Sequence, residues 1–491
     1  MSLLSPFGPR ALLIALAPSW EEDLGGRVAL SRELLAIDGV EDACVTETSA
    51  LVIADLRVRA RLEAELGAAL ARCEGRALED RGAREIDVVY DGADLETVAS
   101  ELGLRAADVI ERHARAPLHV SFLGFAPGFA YLRGLDPRLA SIARRTSPRP
   151  RVPASSVAIA AGMSAIYPAA TPGGWQLLGH ALGHDPLARP WRVGEAVRCR
   201  PVDGRDRGAP PLLRLEPHER ALEVVASGGM SLVVDGAPTR RLADGAPSGG
   251  PIVRSLAARA CRAVGATEHV ALLERYGNIT LRLLEGPPTR LADESGRVHT
   301  LRRGEDVTFS NAGAHRVGYV AIEGGLDVPA VLGGRGVLLS HGRGGLYGRP
   351  LRRGDLLPIA SQAAFARRVA GLATQCSTTT SHVLLATPGP DLEVPTPLTL
   401  RCRIARESDR VGTRLIPLDR PVLPTIPASA AMRSRPMIRG AIQAPPSGEL
   451  VALGPDHPVT GGYPVLALLD DVSTDALFML PVGREITLRI E

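Results

Sequence analysis

FLGFAPGFAYLRGL, residues 122–135, sets four aromatic residues, Phe122, Phe125, Phe129 and Tyr131, within ten positions of a chain that is only 3% aromatic. Gly124, Pro127 and Gly128 interrupt them. A buried strand would alternate β-branched residues and would not carry proline and repeated glycine in its interior. Glycines instead permit close backbone approach, and aromatics beside them either line a concave wall or fill a small barrel whose corners the glycines turn. On the residues alone both readings stay open. Short apolar runs punctuated by Gly and Pro continue from residue 117 onward, which is the texture of compact β-barrels.

Upstream of this stretch the texture differs. Residues 11–90 alternate apolar runs such as ALLIALA and EIDVVY with helical stretches such as RARLEAELGAALARC, which predicts a small α+β sandwich over residues 1–90. DLETVASELGLRAADVIERHA (94–114) predicts two short helices around Gly103, with Asp94 as N-cap and His113 near a helix C-terminus. The fold class is therefore α+β, mostly β: the small domain, a barrel over 91–202, a Pro- and charge-rich linker at 203–220, and a region 221–491 holding two β-barrel subdomains with a seam near 374–397. A weak repeat runs through it: WRVGEAVRC (191–199), LRRGEDVTF (301–309), LRRGDLLPI (351–359) and LPVGREITL (480–488), each a glycine turn and an acidic residue ahead of a strand.

Composition narrows the chemistry. The chain contains no lysine, so its 57 basic residues are all arginine. A Schiff-base lysine, a P-loop lysine, a biotinyl lysine and the lysine of a Ser-Lys hydrolase are thereby excluded. A formal net charge of +3, with no long basic run, gives no reason to expect nucleic acid. Six cysteines lie far apart without a CxxC or Cys/His cluster, which argues against zinc and against a disulfide framework and suits a reducing cytoplasm. ALLIALA is too short to span a bilayer and reads as a first strand, so no membrane association is expected.

GFAPGFAYLRGLDPRLA (124–140), VPASSVAIA (152–160) and YPAATPGGWQLLG (167–179) resemble the family of the B-type subunit of bacterial 5-oxoprolinase, also called allophanate hydrolase subunit 1 or KipI-like. Ala130, Ser155 and Thr171 stand where that family usually has proline, glycine and serine. YVAIEGGLDVPAVLGGRG (319–336), SDRVGTRL (408–415), RGAIQAPPSGEL (439–450) and VTGGYPVLA (459–467) resemble the partner family, the C-type subunit of 5-oxoprolinase, also called allophanate hydrolase subunit 2 or KipA-like. This half departs further, as in Gly333, Gly334 and Arg435. The resemblance implies cyclophilin-like barrels, carboxyltransferase-like domains, and a fused B/C component of a cytoplasmic, ATP-dependent assembly that opens 5-oxoproline to glutamate with a separate A-type subunit. ATP is expected with or on that partner, and covalent biotin is excluded. Two other functions stay open: the carboxyltransferase of a biotin-dependent, urea carboxylase-like system, and a regulatory module of the kinase-inhibitor kind. Self-association into a homo-oligomer is also left open.

A lactam is a resonance-stabilised amide whose carbonyl oxygen must have its developing charge neutralised, a task suited to arginine and backbone amides. Arg149 and Arg151, on a proline-stiffened segment, are the candidate carboxylate or phosphate binders, or plain surface charge. His119 is a candidate general base, or a structural histidine. Phe122, Phe125, Tyr131, Tyr167 and Trp175 are expected to converge on one concavity. In the second half Gln443 and the segment Thr460 to Tyr463 match the family and suit amide recognition, although a glutamine bonding to a neighbouring strand's backbone is an equal alternative. Glu274 matches an acidic family position, as a base or an arginine partner. No metal ligand set is visible.

Overall fold

The computed structural model describes residues 3–204, 220–360, 382–419 and 434–491, apart from 55, 57, 58, 81, 237–241, 268, 311–314, 393 and 394. Most of the expected linker (203–220) and all but the last residue of the TQCSTTTSH part of the expected seam thus lie outside the described residues.

The chain begins with a four-stranded antiparallel sheet in the order Leu3–Pro6, Ala11–Ala15, Ser49–Ala54, Val40–Val45. Helices Leu24–Ala36 and Arg59–Cys73 cover one face, where Leu12, Ile14, Trp20, Leu34, Val52 and Leu66 form the core. The opposite face does not meet water. There Phe7, Ala11, Leu13 and Leu51 pack on Met437, Leu453, Val465 and Leu468 from the far end of the chain. A strand covered on both faces reads as an unbroken apolar run rather than an alternating one, which is why ALLIALA shows no polar positions.

A closed seven-stranded barrel follows, in the order Met163–Ile166, Ala130–Arg133, Leu118–Leu123, Ala196–Pro201, Ala83–Val89, Gln176–Leu182, Ser156–Ala160. One boundary is corrected: Ala83–Val89, read as the end of the small domain, is a stave of this barrel, paired parallel to the barrel's last strand, Ala196–Pro201. Local sequence cannot reveal this, because the pairing joins residues more than a hundred positions apart. The two helices around Gly103 form as expected, Leu95–Leu102 and Ala106–Arg115, and Gly103 ends the first in the left-handed region at φ +61°. Asp94 sits at the N-cap but makes no capping hydrogen bond; its carboxylate is taken by arginines described below. His113 is fully buried between the Tyr90 hydroxyl (2.8 Å) and Ser164 (2.9 Å), and burial lowers its pKa to about 4.

The second half holds two antiparallel sheets of four and five strands over residues 221–358, then a second closed barrel of seven strands between Val383–Pro388 and Glu485–Ile490. Here too the first and last strands pair parallel to each other, so both barrels close by the same wiring. Asp475, on helix Asp471–Met479, accepts from the amides of Arg254 (3.1 Å) and Ser255 (2.7 Å) at the start of helix Arg254–Ala263, joining the two modules of this half.

The four-fold sequence repeat is a repeated backbone conformation. Gly194, Gly304, Gly354 and Gly483 have φ of +86°, +81°, +86° and +84°, each just ahead of a strand. In the second, third and fourth turns nothing approaches the space a Cβ would take, so the constraint there is the backbone angle alone. Gly304→Ala and Gly483→Ala should each cost about 1–2 kcal/mol, and asparagine at either position less, measured by thermal or urea unfolding.

The buried histidines set a pH dependence. The pKa values of His113 and His457 are lowered from 6.5 to about 4 by burial. Below pH 6.5 the unfolded chain therefore takes up protons that the folded one refuses, and stability should fall as pH drops from 6.5 to 4. His113→Gln should flatten that slope in melting temperatures recorded across the window.

Candidate active site between the two halves

The opening stretch is a hairpin. Strand Leu118–Leu123 turns through Gly124 to Phe129 and returns as Ala130–Arg133, with Phe122 opposite Tyr131. Those two rings stack at 4.2 Å. Phe129 lies at the centre of an edge-to-face cluster, 5.1 Å from Phe125, 5.0 Å from Tyr131, 5.4 Å from Tyr167 and 5.9 Å from Trp175. All of these but Phe125 are buried, and the cluster's open side walls a cavity of about 1080 Å³. The two readings of the stretch thus meet in one arrangement, a packed aromatic layer whose edge is a cavity wall.

The other wall comes from the second half. Gln443, Pro458 and the segment Thr460 to Tyr463 line it. Thr460 Oγ1 accepts from the Phe125 amide at 2.9 Å, and its side chain occupies the space a Cβ on Gly124 would need. Phe125 is held there at φ +63°, an unusual angle for a non-glycine residue. Burial pushes the pKa of the Tyr131 hydroxyl up, against the smaller opposing influence of Thr460 and Ser434 beside it. Among the described residues Gln443 Nε2 donates only to the Met437 thioether, at 3.5 Å, and the absence of a side chain on Gly461 keeps the space beside that nitrogen clear.

Charge on the wall is tightly allotted. Arg133 grips Glu47 through both carboxylate oxygens (2.7 and 2.6 Å), and Glu47 also accepts from Ser121 at 2.8 Å; these bonds hold the Glu47 carboxyl below its ordinary value although burial opposes them. Asp94 accepts from Arg145 (3.1 Å), Arg149 (2.6 Å) and the Leu177 amide (2.7 Å), which is why it does not cap its helix. Arg144 lines the cavity and has no carboxylate partner among the described residues.

Phe122, Phe125, Tyr131, Tyr167, Trp175, Gln443, Thr460 and Tyr463 are therefore brought together. Four other candidates are not. Arg149 is not on the cavity wall because Asp94 holds its guanidinium behind the Trp175 strand end. Arg151 is exposed, two positions along the same strand, Arg149–Val152, and also off the wall. His119 faces a separate, larger groove of about 1570 Å³ between the N-terminal helices and the first barrel, and burial lowers its pKa. Glu274 is fully buried and accepts from the Ile252 amide, Tyr276, Tyr319 and Arg410 (2.6–2.9 Å), while Arg410 also grips Asp456; with its oxygens saturated it serves as an arginine partner and not as a base. The larger groove shares Glu21 and Arg133 with the smaller cavity but lacks the aromatic cluster and Gln443, so the smaller one is the candidate site.

Sequence reasoning missed Glu47, Asp94's role, Arg133, Arg144 and Arg145. The doublet Arg144-Arg145 precedes the proline-rich PRPR run and was legible as a pair of charges; Glu47 carries no local signal, since it reaches the wall from another domain.

Two barrels of identical closure, each with a companion α/β or two-sheet module, enclosing one cavity between them, define a double-domain scaffold rather than two independent proteins. The chain belongs to the carboxyltransferase-domain family: "Carboxyltransferase domain, subdomain C and D" matches residues 2–184, and "Carboxyltransferase domain, subdomain A and B" matches residues 244–490, half of the chain. Residues of the first half are 50% identical over 99 positions to the B-type subunit of 5-oxoprolinase from Escherichia coli O157:H7, 20% of this chain and 45% of that protein. The second half is 27% identical over 192 residues to the C-type subunit of 5-oxoprolinase from Escherichia coli strain K12, 38% of this chain and 60% of that protein. The chain thus spans less than two thirds of either curated relative, and it carries a B-like part followed by a C-like part. The crystal structure of TTHA0988 matches over 98% of this chain and 99% of its own, with a TM-score of 0.78 at 32% identity.

Gly124→Ala should lower stability by about 1–3 kcal/mol through overpacking against Thr460. The double variant Gly124→Ala/Thr460→Ala should recover much of that loss, and a thermal-unfolding cycle that shows simple additivity would disprove the contact.

Proposed function

We propose that the chain is the fused B/C component of an ATP-dependent 5-oxoprolinase, opening the lactam to glutamate together with a separate A-type subunit in the cytoplasm. The observation that carries this reading is the cavity built from both halves: aromatic faces and arginines from the B-like part, and the poorly partnered Gln443 amide from the C-like part. In such a cavity a small lactam lies against the aromatic edge, its amide reads Gln443, and a guanidinium on the wall opposes the charge that develops as the amide is attacked. Fusing the halves keeps the two walls at high effective concentration.

ATP does not fit this wall. Among the described residues two of its three arginines are already paired, Arg133 with Glu47 and Arg145 with the Asp94 that also holds Arg149, leaving Arg144 as the unpaired cation against a triphosphate, and the chain has no lysine. The reading therefore gives ATP to the A-type partner and routes no step of phosphate chemistry through this chain. A carboxyltransferase acting on a urea-like amide is the second reading, favoured by the family description itself; with no lysine, its biotin would have to arrive on another protein.

Purified alone, the chain should show no 5-oxoproline-dependent ATP hydrolysis, and mixing it with an A-type subunit should produce it. If the mixture stays silent while a biotinylated carrier supports carboxylation of urea, the second reading replaces the first.

A further inference from the structure

We propose that Arg144 anchors a small carboxylate in the cavity between the halves, while Gln443 across the interface reads the amide of the same molecule. This deepens the lactam reading above and rests on it for the identity of the substrate, but not for the site.

Three guanidiniums stand on the wall, and the structure assigns two of them. Arg133 is gripped by both oxygens of Glu47, and the wall's other carboxylate, Glu21, acts on Arg133 as well. Arg145 is paired with Asp94, which is already shared with Arg149 and the Leu177 amide. Arg144 has neither an ion pair nor a hydrogen bond among the described residues, yet it stands on the same wall as Tyr131 and Tyr167, and its charge acts on both hydroxyls. Arg144 is itself exposed, so its guanidinium is open to an incoming ligand, and a planar guanidinium beside aromatic rings is matched to a bidentate carboxylate.

The opposite wall supplies the second contact. Gln443 is 7% exposed, and among the described residues its Nε2 has only a thioether sulfur as acceptor, a weak one. A Cβ on Gly461 would stand 2.8 Å from that nitrogen, so the glycine preserves access to it. A buried amide with so poor a partner gains more from a ligand carbonyl than a satisfied one does. Charge on one side and amide on the other select a compact molecule that carries both a carboxylate and an amide, and they disfavour a neutral amide or a simple acid.

The test uses calorimetric titration of the full chain, without any partner, with 5-oxoproline and with 2-pyrrolidinone, the same ring lacking the carboxylate. Wild type should bind 5-oxoproline more tightly. Arg144→Gln should weaken it about ten- to a hundredfold while leaving 2-pyrrolidinone unchanged, and Arg144→Lys should fall between. Gln443→Leu, checked for folding by its melting temperature, should weaken both ligands alike. Unaltered 5-oxoproline binding in Arg144→Gln would make Arg144 a surface charge and overturn the proposal. If wild type ignores 5-oxoproline but binds N-acetylglycine or glutamine in an Arg144-dependent way, the anchor stands and the 5-oxoprolinase reading falls. Failure of wild type to bind any of these acids overturns both.

Discussion

Thr460 and the Gly124-Phe125 turn meet where the two halves of the chain touch, and the cavity takes its form from that meeting. The threonine hydroxyl accepts the Phe125 amide and holds the residue in a left-handed conformation that it would not choose alone. Its methyl and hydroxyl fill the space in which a side chain at position 124 would sit. Through the hairpin, this one contact positions Phe125 against Phe129, and through Phe129 the rings of Tyr131, Tyr167 and Trp175. A feature of the first half is therefore completed by the second.

The same interlocking is visible in the charges. Ser121, inside the first barrel, donates to Glu47 of the N-terminal domain and receives from the buried Arg27, while Arg133 closes on Glu47 from the cavity side. In the second half Arg410 of the barrel reaches Glu274 of the two-sheet module and Asp456 of its own barrel. Buried ions are costly to desolvate, and such clusters are better at specifying which surfaces meet than at adding net stability. Both clusters here lie at junctions between modules, where register matters most, and one member was a catalytic candidate in the sequence: Glu274 has the burial and the partners of an active carboxylate but no access to the cavity.

The two barrels also show how one arrangement can be kept while its surface is reassigned. Each closes with a parallel pair between its first and last strands, and each last strand follows a glycine turn near φ +85°. At the cavity, however, the barrels differ in kind: one contributes stacked aromatic rings and cations, the other an amide and short glycine-rich segments. That division of labour suits a ligand with a charged end and a neutral amide end.

Local sequence was sufficient for whatever local physics decides. The glycine turns, the paired helices around Gly103 and the mostly β character were legible, since each depends on dihedral preference or on apolar period over a few residues. The convergence of Phe122, Tyr131, Tyr167 and Trp175 was expected as well, because their segments carry the family resemblance. What the tertiary structure alone decided were the partnerships: that Ala83–Val89 belongs to a barrel closed by Ala196–Pro201, that Asp94 serves two arginines in place of its helix, that Arg149 is consumed by it, and that Arg144 is left over. Whether an arginine is spent or available depends on which carboxylates stand within about 3 Å of it, and those come from segments tens to hundreds of residues distant, a relation that no window of sequence contains.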